Sequence, residues 1–244
     1  MEFCGNEGSI RPTLERALHP QDAGRVACCL GKLAGHGFKE WALTGSLATG
    51  LHVADGLRPL HDVDLVIPEA EAVPASISAA FLIRHFHPGA DVGKLAIQLI
   101  DPETQLRIDV FTAVGATWNR AYRRGVGSAR LVAPEDLACR ALLSVLPATL
   151  GDPTLEKHWS SLQSLLRLNL SDVVLAAWSD HRRASHQEFW DSVRAVHRAL
   201  EARPCLLTTE NYSIDAQALC SKCFRSADFP LARAEEVIAI LGHC

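Results

Sequence analysis

The segment DVDLVI, residues 62–67, places two acidic residues at alternate positions of a short apolar run. Successive side chains of a β-strand point to opposite faces, so this pattern predicts a strand with Val63 and Leu65 on one face and the carboxylates of Asp62 and Asp64 on the other. Alternate residues of a strand lie ~7 Å apart on one face. Such a strand either has a solvated face at the edge of a sheet or forms one side of a cation site.

A third aspartate favours the cation site. The segment KLAIQLIDPETQLRIDVF, residues 94–111, predicts a β-hairpin with a four-residue turn, DPET. On its second arm Arg107 and Asp109 share one face, and we expect Asp109 to complete a carboxylate cluster from a neighbouring antiparallel strand. Oxygen ligands of this kind suit Mg²⁺ or Mn²⁺. Without a cation, three clustered carboxylates repel one another, so the pattern predicts a metal site made of Asp62, Asp64 and Asp109.

A small-residue turn precedes these acids. In ALTGSLATGLHVA, residues 42–54, a predicted strand ends at Gly45 and Ser46, and a short helix begins there. The first backbone N–H groups of a helix and a serine hydroxyl can bind a phosphate, and glycine allows close approach because it has no Cβ. We therefore predict that Gly45 and Ser46 bind a phosphate group.

The chain has 244 residues and changes character along its length. Residues 1–130 alternate predicted strands and helices, residues 131–202 carry apolar residues at helical spacing, and residues 203–244 form a cysteine-rich module. The fold class predicted is therefore a mixed α/β sheet with flanking helices, followed by a helical half. Further predicted elements are a helix from Asp22 to Leu33 with Asp22 as its N-cap, a strand over 38–45, a helix over 71–81 and an irregular link over 114–132.

Four of the eight cysteines fall within the last forty residues: Cys205, Cys220, Cys223 and Cys244. The CxxC pair and the two outer cysteines match the chemistry of a four-sulfur structural zinc site, although the outer spacings are irregular. The alternative is that these are free, partly buried cysteines that behave as small apolar residues. The sequence leaves both interpretations open.

The net charge and the distribution of apolar residues restrict the kinds of partner that we expect. A formal net charge of −4 gives no general attraction for nucleic acid, and no stretch has the apolar length of a membrane-spanning helix. The N-terminus lacks a basic region followed by an apolar one, so we expect no secretory signal, no membrane partner and a cytoplasmic location.

The ordered pattern Leu43-Thr44-Gly45-Ser46, then Asp62-Val63-Asp64, then Asp109 resembles the DNA polymerase β-like nucleotidyltransferase superfamily. With PEDLACRALLSVL after the third aspartate, it looks most like the AbiEii-type toxin nucleotidyltransferases of toxin–antitoxin systems. The resemblance implies that Asp62, Asp64 and Asp109 are catalytic and hold Mg²⁺ or Mn²⁺. It also implies that a nucleoside triphosphate is the substrate and that Gly45, Ser46 and Arg140 bind it.

Two positions depart from the family pattern. Arg140 stands where the family usually has lysine, and Lys157 is followed by His158 rather than by aspartate. Arginine keeps the charge but binds phosphate in a bidentate way that lysine does not.

The sequence is compatible with three functions, of which we favour the first. The first is transfer of a nucleotide to an acceptor hydroxyl on tRNA, protein or a small molecule, as in toxins paired with a cognate antitoxin. The second is an adenylyltransferase that modifies antibiotics. The third is a catalytically silent binding module, which the two departures favour.

Overall fold

The computed structural model describes residues 7–54, 56–57, 59–87, 92–122, 125–126, 129–148 and 155–202. The predicted cysteine module of residues 203–244 lies outside the described residues. The helices are α1 (Glu7–Leu14), α2 (Pro20–Gly35), α3 (Gly45–Val53), α4 (Thr117–Tyr122), α5 (Pro134–Ala148), α6 (Leu155–Leu166), α7 (Val173–His181) and α8 (Phe189–Ala202). The strands are β1 (Ala42–Leu43), β2 (Val63–Ile67), β3 (Leu82–Phe86), β4 (Leu95–Ile100), β5 (Arg107–Thr112), β6 (Gly125–Val126) and β7 (Ala129–Arg130).

The chain forms two compact units. The first contains the described residues up to Val114 together with Trp118–Val132, and the second contains Gly115–Thr117 and residues 133–202. The mixed α/β class predicted from the sequence is confirmed: the first unit is built on a five-stranded mixed sheet with helices, and the second is helical.

The strand order in the sheet is β1-β2-β5-β4-β3. Strands β2 and β5 are parallel, and the other neighbouring pairs are antiparallel. The predicted hairpin of β4 and β5 is confirmed, but its turn is longer than DPET because Ile100 pairs with Arg107. The prediction that Asp109 comes from a strand antiparallel to the one holding Asp64 was wrong, since β2 and β5 run in the same direction.

Alternating burial along the strands separates an apolar face from a polar one. On β2 the side chains of Val63 and Leu65 are fully buried, and on β5 those of Ile108 and Val110 are too. The intervening Asp64 and Asp109 are only partly buried and lie on the other face. The two-residue alternation of the sequence therefore positions the acidic groups, as the period of a strand requires.

Several local predictions need correction. Helix α2 begins at Pro20 with His19 as its N-cap, two residues before the predicted start, because proline suits the first turn of a helix. The strand expected over 38–45 is reduced to β1.

The helix predicted over 71–81 is instead two short 3₁₀ helices, Ala70–Ala72 and Ala75–Ala79, separated by Pro74. The link over 114–132 contains α4 and the β6–β7 pair rather than irregular chain.

In the second unit α5 packs against α6, α7 and α8. The side chain of Trp178 on α7 is fully buried there, and its Nε1 donates a hydrogen bond to the carbonyl of Gln187 at 2.9 Å. No helix among the described residues is both long enough and apolar enough to cross a bilayer.

Candidate metal centre

The two acidic residues of the DVDLVI segment lie at the start of β2. Asp62 immediately precedes the strand and Asp64 is its second residue. Both are half-buried, and Val63 between them is fully buried on the opposite face. The strand therefore directs two carboxylates to one side while its apolar residues anchor it in the core.

Asp109 lies directly across from Asp64, because β2 and β5 pair in a parallel register that aligns their Cα atoms. One carboxylate oxygen from each of Asp62, Asp64 and Asp109 lies within 4.8 Å of the others. Carboxylate oxygens are the ligands that a hard divalent cation such as Mg²⁺ or Mn²⁺ prefers, and these three lie close together. Among the described residues, no other set of three histidine, cysteine or acidic side chains comes this close.

Gly45, the first residue of α3, lies against the acidic cluster. It has a left-handed backbone with a φ of +64°, and a Cβ at this position would overlap the carboxylate of Asp64, 2.8 Å from its Cγ. The amide of Thr44 also donates to the carbonyl of Asp64 at 2.9 Å. Half-buried Ser46 follows in the first turn of α3, so the small-residue turn and the Asp64 carboxylate are neighbours. Only glycine fits this close approach at a positive φ.

Two further side chains contact the cluster. The guanidinium of Arg107 donates from Nη2 to Oδ2 of Asp62, and its Nε lies 3.4 Å from Oδ2 of Asp109. Gln98 on β4, which pairs with Asp109 across the hairpin, donates from Nε2 to Asp109 Oδ1 at 2.7 Å. Both oxygens of Asp109 therefore already face positive or hydrogen-bond-donating groups.

Burial raises the pKa of Asp109 above its usual value, and the charge of Asp62 acts in the same direction. The positive charge of Arg107 and the hydrogen bond from Gln98 lower this pKa but do not cancel the effect of burial. The ionised form of Asp109 is thus disfavoured without a cation, and a divalent ion among the three carboxylates would relieve that cost.

Arg107 and Gln98 were not predicted as site residues from the sequence. Arg107 shares a strand face with Asp109 at a spacing of two residues, and that signal was present in the sequence. Gln98 could be assigned only from the register of the hairpin, which depends on the true length of its turn.

Arg140 lies on α5 in the second unit, where its side chain is half-buried. Its assignment to phosphate binding stays a prediction. The two acidic residues of the PEDL segment serve other partners: Glu135 Oε1 accepts from the Ser171 hydroxyl at 2.6 Å, and Asp136 Oδ1 accepts from the Thr117 hydroxyl at 2.8 Å.

No protein-family model matches the chain, and no curated protein shows a significant match. Among solved structures, the chain is similar to an antigenic nucleotidyltransferase-like protein from Paracoccidioides brasiliensis. The two share 18% sequence identity with a TM-score of 0.45, over 82% of this chain and 90% of the other. The geometry of the acidic cluster is therefore the main indication of function.

Proposed function

We propose that the protein is a metal-dependent nucleotidyltransferase that transfers a nucleotide from a nucleoside triphosphate to an acceptor hydroxyl. The observation that carries the proposal is the pairing of Asp64 with Asp109 on adjacent parallel strands, with Asp62 close enough to share a cation. This arrangement agrees with the polymerase β-like pattern noted in the sequence, and the mixed sheet is compatible with that fold class.

Asp62, Asp64 and Asp109 would hold Mg²⁺ or Mn²⁺. When bound, the cation offsets the negative charge of the triphosphate and of the leaving pyrophosphate, and it positions the reacting groups in line. One carboxylate oxygen of each residue lies within 4.8 Å of the other two, and such oxygens are the ligands that a hard divalent cation takes.

Gly45 and Ser46 would bind the phosphates next to this cation. The first N–H groups of α3 have no partner within the helix, and Gly45 places that end of α3 against Asp64. A phosphate held there would lie beside the metal ligands. Arg140 is proposed as a further phosphate-binding cation, on the strength of the family resemblance alone.

In the proposed reaction the acceptor hydroxyl oxygen forms a bond to the α-phosphorus. The bond between that phosphorus and the oxygen bridging to the β-phosphate breaks, and pyrophosphate leaves with the electron pair. Asp109 would accept the proton of the attacking hydroxyl.

The same chemistry can serve several classes of acceptor. The AbiEii-like sequence pattern favours transfer to tRNA or protein by a toxin with a cognate antitoxin, and an antibiotic acceptor is the alternative within the same chemistry. A silent binding module would keep the fold without transfer. Labelling of candidate acceptors, together with a measurement of nucleotide binding, distinguishes these outcomes.

The test is labelling of tRNA, of cell protein and of an antibiotic panel with each of the four α-³²P-nucleoside triphosphates, in the presence of Mg²⁺ or Mn²⁺. We expect labelling by the wild-type chain and its loss in Asp62→Asn and Asp64→Asn. The matched control is Glu71→Gln, because Glu71 is an exposed acid of the same unit. Labelling that persists in both aspartate variants contradicts the proposal, and absence of labelling with retained nucleotide binding identifies a silent module.

A further inference from the structure

The acidic cluster already contains a cation that belongs to the chain. The guanidinium of Arg107 contacts Asp62 and Asp109 at the same time, and only 22% of its side chain is exposed. Its Nε is buried and has no hydrogen-bond acceptor among the described residues. Arginine keeps its charge under all ordinary conditions. The positive charge between the two carboxylates is therefore permanent.

A divalent cation bound by the same carboxylates must compete with Arg107. The guanidinium faces Oδ2 of Asp62 and Oδ2 of Asp109, while Gln98 occupies Oδ1 of Asp109. A metal ion that takes an Oδ2 atom places its charge next to the guanidinium, and like charges repel strongly in a partly buried site. Metal binding through either Oδ2 atom therefore requires that Arg107 moves away from that carboxylate.

A second arginine makes the region less acidic than its three aspartates suggest. Arg84 lies at an irregularity of β3 between Ile83 and His85, and its charge acts to lower the pKa of Asp109. Its Nε is also buried without a hydrogen-bond acceptor among the described residues. Three carboxylates and two guanidinium groups carry a formal charge of −1, so one divalent cation makes the region positive. A positive region favours an anionic ligand.

We propose that Arg107 couples cation binding to triphosphate binding. The guanidinium holds Asp62 and Asp109 together before the cation binds, and it moves to phosphate oxygens of the nucleotide when the cation takes its place. Arginine suits this exchange because its planar group binds carboxylate and phosphate in the same bidentate manner. The inference rests on the proposed function, since it assumes that the acidic cluster binds a divalent cation and a nucleotide.

The exchange of partners by Arg107 links the affinity for the cation to the affinity for the nucleotide. The cation alone binds weakly because it must displace Arg107, and it binds more tightly with the triphosphate because the displaced guanidinium gains a new partner. Coupling of this kind is reciprocal, so the cation and the nucleotide strengthen each other by the same factor.

The experiment measures two affinities of the full chain. Binding of Mn²⁺ alone is followed by electron paramagnetic resonance of free Mn²⁺, and binding of each of the four α,β-methylene nucleoside triphosphates at saturating Mn²⁺ is followed by calorimetry. For Arg107→Gln we expect Mn²⁺ alone to bind about 5- to 10-fold more tightly and the analogue that binds best to bind about 10-fold more weakly. Arg107→Lys keeps the charge but loses the planar pair of N–H donors. We expect both of its affinities to lie between those of wild type and those of Arg107→Gln.

The matched control is Arg25→Gln. Arg25 is a partly buried arginine of the same unit that pairs with Asp22 and with the carbonyl of Thr104, away from the cluster. We expect it to change neither affinity.

The outcomes separate the two proposals. If wild type binds no Mn²⁺ with or without the nucleotide analogue, or binds it equally after Asp64→Asn, the proposed function fails. If wild type binds Mn²⁺ and Arg107→Gln does not bind it more tightly, Arg107 is only a structural clamp and the coupling is refuted while the proposed function stands. If Arg107→Gln binds Mn²⁺ more tightly but binds the analogue as wild type does, the proposed movement of Arg107 to the phosphate oxygens is refuted. Should Arg107→Gln fail to fold, the same comparisons apply to Arg107→Lys, and affinities equal to those of wild type overturn the proposal.

Discussion

Gly45 and Asp64 lie so close that a methyl group on Gly45 would overlap the Asp64 carboxylate. This approach joins the start of α3 to the acidic face of β2. Gly45 is also the first residue of α3, so this helix begins beside the carboxylate. The contact gives the candidate phosphate-binding turn and the candidate metal ligands a common position.

Gly45→Ala is expected to damage the site more than the fold. Alanine costs about 1–2 kcal/mol at a positive φ, and its methyl group also forces Asp64 out of its position. We expect Mn²⁺ binding to weaken at least tenfold, with a lower unfolding temperature by calorimetry. The control is Gly31→Ala on α2, where nothing lies within 4 Å of the added methyl group, and helix propensity makes this change neutral or stabilising. Equal Mn²⁺ affinity in Gly45→Ala and wild type would show that the close approach has no role in the site.

The strand positions of the acidic residues were predictable because two-residue alternation is a local property of the sequence. The direction of the strands was not. Asp109 was expected on an antiparallel neighbour, yet β2 and β5 run in parallel, since the hairpin partner β4 takes the other side of β5. Which strands become neighbours is decided by packing of distant segments, and the alternation of one strand does not encode it.

The predicted length of the hairpin turn was too short, so the contact between Gln98 and Asp109 was not predicted. With the four-residue turn DPET, Asp109 would face Ala96, whereas the longer turn places Gln98 opposite it. Gln105 at a positive φ of +59° and the hydrogen bond from the Asp101 amide to the Leu106 carbonyl close this longer turn. A shift by two residues keeps every side chain on its face, so the core pattern of the sequence could not reveal it.

A divalent cation is expected to stabilise the folded chain through the acidic cluster. A ligand that binds only the folded state at about 100 times its dissociation constant adds about 2.7 kcal/mol. Mg²⁺ or Mn²⁺ should therefore raise the unfolding temperature of wild type by several degrees, and Asp64→Asn should abolish the increase. Glu71→Gln should keep it. An equal increase in Asp64→Asn would place cation binding elsewhere in the chain.

An ion pair between the hairpin turn and α2 should make the stability of the folded chain depend on pH in the acid range. Asp101 is fully buried and accepts a hydrogen bond from Lys32 of α2 at 2.9 Å. Burial alone would raise the pKa of Asp101, but hydrogen bonds from Thr104, Lys32 and the amide of Glu103 outweigh it and hold the pKa below its usual value. The carboxylate therefore contributes stability above its unfolded-state pKa of about 3.9, and this contribution is lost as the pH falls through the lower folded-state value.

For Asp101→Asn we expect a loss of about 2–3 kcal/mol at neutral pH, measured by urea unfolding, and a smaller difference from wild type as the pH is lowered below 4. Glu103→Gln is the control, because Glu103 lies 3.3 Å from the same lysine but is 69% exposed, and it should cost less than about 1 kcal/mol. A difference between Asp101→Asn and wild type that stays constant down to acid pH would show that ionisation of Asp101 is not its source.

The PEDL segment is expected to stabilise the second unit. Asp136 is fully buried, and its Oδ1 accepts from the Thr117 hydroxyl at 2.8 Å and lies 2.9 Å from Nε2 of His181. Removing one member of a buried polar network leaves the others without partners and costs about 3–5 kcal/mol. Asp136→Ala should therefore lower the unfolding temperature and reduce the hydrogen-exchange protection of α5 and α7, followed by mass spectrometry.

Asp172→Ala provides the comparison for Asp136→Ala. Asp172 is an exposed residue at the N-terminus of α7 whose side chain makes no capping hydrogen bond, so we expect this change to cost less than about 0.5 kcal/mol. Asp136 is part of the family-like PEDL segment, but it lies in the second unit and is not a member of the acidic cluster. Asp136→Ala should leave the affinity for Mn²⁺ unchanged in the folded fraction. A loss of Mn²⁺ binding with unchanged hydrogen exchange would instead assign Asp136 to the binding of the cation.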